Sequence, residues 1–361
     1  MLNENLIIFQ SADGNIETLK MIEAFHSGEP HLIMDLEVKY EEALNFATQG
    51  LDGKIIVFAF TIDEFGNNRS VLSFIRKCYG KNETTFKNSI VSLIIYSKTE
   101  LFTKSISTHL LFILNSLGAI IPGHPMIEAV PGFINFKTWQ KTVKLELREI
   151  CHIQCGRLRE RLVTFVLPKF EKPKLLVLHA SNEKSSNTFA LWKMVRNHLS
   201  DFEIKELHVE NGSIMDCKGC NFKTCLHFGN EQRCFYGGTM VDSIYPEVEK
   251  ADSILWICPN YNDSISANLT AVINRLTALY RVTPFYSKYH FSIIVSGNSG
   301  SDSVAKQLID SLCINKGFNL SPFSTLMATA NDPGAIKHVK DIYKKAEEFA
   351  RNLRFIIKKE L

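Results

Sequence analysis

The chain is expected to fold as two tandem doubly wound α/β domains, each on a five-stranded parallel sheet. Three observations lead there. Strand-like and helix-like segments alternate along the 361 residues. The strand segments are continuous apolar runs, as in strands buried on both faces. The second half repeats the rhythm of the first.

In the first half, "NLIIFQS", "HLIMDL", "KIIVFAF", "SIVSLIIYS" and "IIPG" read as strands. Between them lie helical segments at about 16–26, "RSVLSFIRKC" and "SISTHLLFILNSLG". One long amphipathic helix is expected over 137–162, where Cys151 and Cys155 share a face at i, i+4 as packing residues. "PKFEKPK", with two prolines and three lysines, is the expected linker. In the second half the strands are "KLLVLHA" (174–180), "FEIKELHV", "SILWICP", "FSIIVSG" and "FSTLMAT". Their partner helices are "NTFALWKMVRNHL", "MVDSIYPEVEKA", "SANLTAVINRLTALY", "SVAKQLIDSLCINKG" and a long last helix over about 334–358. The segment beginning "SLIIYS" aligns with that beginning "SIIVSG" without a gap, as does "KIIVFAF" with "SILWICP". That is the signature of a tandem duplication. The domains expected are 1–165 and 172–361, the second with a cysteine-rich insertion over 215–238.

Composition narrows the function classes. Forty-one basic and 38 acidic side chains, spread evenly, leave a net charge of +3 and no nucleic-acid footprint. No apolar run reaches the roughly 18 residues of a membrane helix, and the first residues lack a signal-peptide pattern. The expected location is the cytoplasm, where clustered cysteines mean metal or redox chemistry rather than disulfides. No hydrolase motif is present.

Three loops fall at the carboxyl ends of adjacent strands, where open α/β sheets bind ligands. "HASNEKSSNTFAL" opens directly into a helix and is rich in hydroxyl and amide groups, a pattern that suits a phosphate: Ser181, Lys184, Ser186, Asn187 and Thr188 are the candidates. The same residue types are also good helix caps. "CPNYNDSISANL" supplies Pro259, Asn260, Tyr261, Asn262 and Ile265 for a planar ligand, and "SGNSGSDS" supplies Ser296, Gly297, Asn298 and Gly300. The two glycines would let the backbone approach a flat ring closely.

On these motifs the second half resembles the flavodoxin-like NADPH-dependent FMN reductase family, including its iron–sulfur flavoprotein branch. The family's first loop commonly runs Gly-Ser-Pro-Arg-Lys-Gly-Gly-Asn-Thr, and "ASNEKSSNT" sets Ser181, Lys184, Asn187 and Thr188 in register. Its Ser-Pro-x-Tyr and following Lys-x-x-x-Asp-Arg are met by Pro259, Tyr261, Ile265 and Arg275. Glu183 departs from the family by standing where arginine is usual. The resemblance implies two flavodoxin-like domains, the second binding FMN and using NAD(P)H as co-substrate. The first looks like a degenerate copy, because its loop "FQSADGNIETL" lacks the run of hydroxyls and "AFTIDEFGNN" has no Pro-x-Tyr. Such a copy would act in packing, as an internal dimer partner.

Four of the nine cysteines, Cys217, Cys220, Cys225 and Cys234, lie within nineteen residues. The C-x2-C-x4-C-x8-C spacing admits a [4Fe–4S] cluster, tetrahedral zinc or a metal-free set of thiols, with His227 as an alternative ligand, and it does not choose among them. The resemblance implies a cluster beside the flavin edge. The expected activity is NAD(P)H oxidation through FMN, with electrons passed to a quinone, a small oxidant or an iron–sulfur centre and no protein acid or base required. The other reading is a non-catalytic flavin and iron–sulfur carrier or sensor serving a redox protein partner.

Overall fold

The computed structural model describes residues 5–26, 28 and 31–359. The chain divides into two compact units, Met1–Val166 and Leu167–Leu361.

The first unit holds β1 (Leu6–Ser11), α1 (Ile16–His26), β2 (Leu32–Asp35), α2 (Tyr40–Thr48), β3 (Ile55–Ile62), α3 (Arg69–Lys81), β4 (Ile90–Ser97), α4 (Thr103–Ser116), β5 (Met126–Ala129), α5 (Lys137–Val143) and α6 (Leu147–Val163). The second holds β6 (Lys174–His179), α7 (Asn187–Arg196), β7 (Glu203–His208), α8 (Phe222–Asn230), α9 (Tyr245–Lys250), β8 (Ser253–Pro259), α10 (Ala267–Tyr280), β9 (Tyr289–Ser296), α11 (Ser301–Leu308), β10 (Asn319–Thr329) and α12 (Ile342–Ile357). Both sheets are wholly parallel, in the orders β2-β1-β3-β4-β5 and β7-β6-β8-β9-β10. These are one doubly wound topology met twice, and it is flavodoxin-like.

The central strands are apolar throughout because helices cover both faces. In the first unit Met21, Ile22 and Phe25 of α1 pack with Ile150, Cys151, Cys155 and Leu158 of α6 beneath β1, β3 and β4. In the second, Phe189, Trp192 and Val195 of α7 meet Phe349, Leu353 and Ile357 of α12. Each large side chain buried in this way stabilises its unit by about 1.5–3 kcal/mol.

α2 and α8 fall where no helix is expected, and three of the expected elements differ in place or extent. The fifth strand is "MIEA", not "IIPG": Ile120 makes one isolated bridge to Ile90, and pairing restarts only at Met126 opposite Leu93. Pro122 has no N–H to continue the ladder. The helix expected over 137–162 breaks at Lys144, which takes a left-handed φ of 53°. The break lets Leu145 and Leu147 pack against the core. The last helix is preceded by a separate 3-10 turn, Ala335–His338, and begins after Asp341 at φ 58°.

The two sheets also share an irregular register. β4 and its neighbour pair Ile90 with Ile120 and then Leu93 with Met126. β9 and β10 pair His290 with Leu320 and then Ile293 with Leu326. Every residue in the second set is numbered 200 above its counterpart in the first. Among the described residues no helix is long and apolar enough to cross a membrane.

Candidate functional site

The loops that follow β6, β8 and β9 meet at the carboxyl edge of the second sheet. In the first, Ser186 caps α7, accepting from Phe189 N at 3.2 Å, and its own N–H donates to Asn182 O at 3.0 Å. Asn182 Oδ1 accepts from Lys184 N at 3.0 Å, so short polar side chains organise this bend. Glu183 and Lys184 are exposed, whereas Ser181, Asn187 and Thr188 are buried. The Ser181 hydroxyl has no hydrogen-bond partner. Asn187 is already occupied: Nδ2 donates to Ala330 O and Asp332 O at 3.1 and 2.8 Å, and Oδ1 accepts from Gly334 N and Ile336 N at 3.0 and 3.3 Å. It ties the first loop to the loop after β10.

Below this bend the His179 ring stacks on His208, with centroids 4.8 Å apart and planes 7° from parallel, and also touches Phe189. Burial, reinforced by His208, pushes the His179 imidazole below its ordinary range and favours the neutral form.

The loops after β8 and β9 are laced together. Asn260 Nδ2 donates to Ser296 Oγ at 3.0 Å, to Ser299 O at 2.9 Å and to Asp263 Oδ1 at 3.0 Å. Asn262 and Asp263 both have positive φ, at 53° and 56°. Ser264 N donates to Tyr261 O at 3.1 Å, which closes a type I′ turn. The turn presents Tyr261 to solvent at 56% exposure, following the buried Pro259. Gln307 clasps the turn with both ends of its amide, donating to Asp263 O at 2.8 Å and accepting from Ile265 N at 3.2 Å. Asn298 folds back to accept from Ser299 N at 2.6 Å.

The glycines serve a closer purpose than sequence suggests. A Cβ on Gly300 (φ 85°) would lie 1.8 Å from Asp263 Oδ1, and one on Gly297 would lie 2.9 Å from Asn331 Oδ1. The close approach they permit is made by neighbouring loops. Sequence reasoning missed Asp263, Gln307 and Asn331. The available signal was the Asn-Asp pair at 262–263, two residue types that tolerate the left-handed region.

The cysteine segment lies elsewhere. It runs down the side of α10: Asn268 holds Val209 O at 3.0 Å, Asn274 holds Asp216 Oδ1 at 2.9 Å, and Arg281 lies 4.7 Å over the Phe222 ring. Gly229 packs where a Cβ would be 2.6 Å from Ala278 O. All four cysteines line one cavity of about 220 Å³ with Phe228, Phe235, Tyr236, Asn274, Arg275 and Ala278. From the start of α10 at Ala267, the lining residues 274–281 lie roughly 10–20 Å down the helix axis at 1.5 Å per residue. The segment is therefore anchored along the flank of α10, from Asn268 in its first turn to Arg281 at its end.

Whether these residues suit a metal turns on the donor chemistry. Four thiols on one cavity wall, beside the buried guanidinium of Arg275, are suited to a soft, thiolate-bound centre. Among the described residues, no three His, Cys, Asp or Glu side chains are gathered as a bound ion requires. Ligation therefore needs the thiols to turn inward. His227 is exposed, edge-on to Phe228, and does not line the cavity.

No curated protein matches the chain. Among solved structures it is similar to an NAD(P)H:quinone oxidoreductase from Methanothermobacter marburgensis, at 12% identity and TM-score 0.37, covering 50% of this chain and 99% of that one. It is also similar to an FMN-dependent NADH-azoreductase from Bacillus anthracis in complex with FMN, at 10% identity and TM-score 0.35, covering 50% and 99%. The model of the NADPH-dependent FMN reductase family matches residues 173–332, which contain all three loops and the cysteine segment. Over those residues the chain is similar to the NADPH-dependent FMN reductase family.

Proposed function

We propose that the second unit binds FMN at the carboxyl edge of its sheet and oxidises NAD(P)H, passing the electrons to a quinone or another small oxidant. The observation that carries this reading is the Ser181 hydroxyl. It is fully buried and without a partner, in the loop that opens into α7 within the family match. A buried hydroxyl left unpaired is costly, and a phosphate oxygen would satisfy it. When bound, FMN supplies hydride acceptance and electron release. The chain supplies the cradle. The N–H groups at the start of α7, with Ser181, Ser186 and Thr188, would hold the phosphate, and exposed Lys184 offsets Glu183. The Tyr261 turn, held by Gln307, and the loop from Ser296 to Gly300 would border the ring, while Asn187 and Asn260 keep the loops in place.

Cys217, Cys220, Cys225 and Cys234 would hold a [4Fe–4S] cluster, which is the finer part of the proposal. Their shared cavity supports it, and its place on the flank of α10 suits relay to a protein partner. That observation also supports the second reading, a carrier or sensor without turnover. The first unit is proposed to be a degenerate copy, supported by the common register offset. In its own crevice Asn68 Nδ2 bonds Ser11 Oγ at 3.0 Å and Thr61 O at 2.9 Å, and Thr18 and Thr61 hydroxyls meet at 2.7 Å. These bonds use the polar groups a flavin would need. A cytoplasmic location belongs to the same proposal.

The test is the absorption spectrum and the flavin, iron and sulfide content of anaerobically purified protein, followed by NAD(P)H oxidation with a quinone. Flavin with turnover is expected. A colourless protein that refuses added FMN would overturn both readings, and bound flavin without turnover would favour the carrier.

A further inference from the structure

Arg275 lies in the middle of α10 with 3% of its surface exposed. Its guanidinium lines the four-cysteine cavity, donating from Nη2 to Gly237 O at 2.8 Å and from Nη1 to Met215 O at 3.4 Å. Nε is buried and has no partner. Among the described residues no carboxylate forms a salt bridge with it. Asp216, next to Cys217 in the chain, accepts at Oδ1 from Asn274 Nδ2 and from Cys217 N. A cation taken out of water and given only carbonyl partners is strongly disfavoured unless negative charge stands nearby. Arg281 adds a second cation to the same lining, which otherwise holds the thiols, Phe228, Phe235, Tyr236 and small neutral groups. The cavity therefore carries two cationic side chains beside its four thiols.

The segment around it also lacks a core. Between residues 210 and 239 only Ile214 and Gly229 are buried. Thirty residues with so little apolar burial need a cross-link to hold one shape.

We propose that Arg275, assisted by Arg281, is the counter-ion of a negatively charged thiolate centre in this cavity, and that this charge pairing decides whether the centre is retained. The inference rests on the reading that Cys217, Cys220, Cys225 and Cys234 bind metal. As each metal–sulfur bond forms, its thiol proton passes to solvent, and four thiolates around a divalent ion leave a net charge of about −2. Arg275 lies against that charge, and its fork also fixes the two backbone carbonyls that frame the segment.

The test uses the full chain, stripped of metal under reducing conditions and titrated with Cd²⁺, read by the thiolate-to-cadmium charge-transfer absorbance. Arg275→Lys keeps the charge and loses the fork, whereas Arg275→Gln loses both. Wild type should bind one equivalent, the Lys variant within about threefold of it, and the Gln variant about tenfold or more weaker. Wild-type affinity in Arg275→Gln, or equal losses in the two variants, would overturn the counter-ion role and leave only a structural brace. Should Arg275→Gln fail to fold, Arg281→Gln carries the test, because that side chain is exposed. A loss of about threefold is expected there, and none would overturn the proposal. A wild type that takes up no Cd²⁺ and carries no iron or zinc as isolated would instead sink the metal reading itself.

Discussion

The side-chain amide of Asn187 donates to the Asp332 carbonyl at 2.8 Å, joining the first turn of α7 to a loop 145 residues later. Its donor and acceptor atoms are both used by backbone groups there, and Gly334 N and Ile336 N bond to Oδ1. Asn187→Ala should therefore destabilise the second unit by about 2–3 kcal/mol, because several buried backbone groups lose their partner. Urea unfolding would show it. A stability within 0.5 kcal/mol of wild type, roughly, would mean that solvent replaces the staple.

Ser181 should behave oppositely. Its hydroxyl is unpaired in the protein alone, so Ser181→Ala is expected to leave the flavin-free protein equally stable or about 1 kcal/mol more stable. The same change should weaken FMN about fivefold or more, at about 1 kcal/mol for one lost bond to a charged group. Fluorescence titration with FMN and with riboflavin separates the effect, since only FMN binding should suffer.

Gln307 is expected to act through the turn it clasps. Gln307→Leu removes both contacts, with Asp263 O and Ile265 N, at a stability cost of about 1 kcal/mol on an exposed site. The KM for the electron acceptor should rise more than kcat falls, because Tyr261 loses its fixed position. An unchanged KM would show that the turn holds itself.

His290 sets an acid limit. It is buried in β9 with Nδ1 unpaired, and burial pushes its imidazole down to about 3. The unfolded chain takes a proton near pH 6.5 and the folded one does not, so stability falls as pH drops from about 6.5 toward 3. Unfolding free energy should be lower by on the order of 1 kcal/mol at pH 5.5 than at pH 7 from this residue. His179, shifted in the same direction by burial, adds to that loss. His290→Leu should flatten the dependence, and an unchanged slope would assign it to other groups.

Much of the fold is legible from apolar runs alone. β3, β4, β8 and β9 are buried along nearly their whole length, and a strand covered on both faces has little choice of residue. The errors fall where chain geometry competes with hydrophobicity. "IIPG" is apolar enough for a strand but has a proline where the ladder needs a donor. The 137–162 segment has helical composition throughout, yet Leu145 and Leu147 reach the core only because the helix breaks just before them at Lys144.

The amino-acid sequence by itself determines the two doubly wound units, the three loops at one sheet edge and the clustering of four cysteines, because periodicity, turn residues and local spacing are short-range properties. Only the tertiary structure decides what those residues touch. It commits Asn187 and Asn260 to other loops and places a carboxylate and an amide over the two glycines. It brings the thiols to a buried arginine on the flank of α10. These outcomes depend on contacts between segments tens to more than a hundred residues apart, and on the need of each buried polar group for a partner.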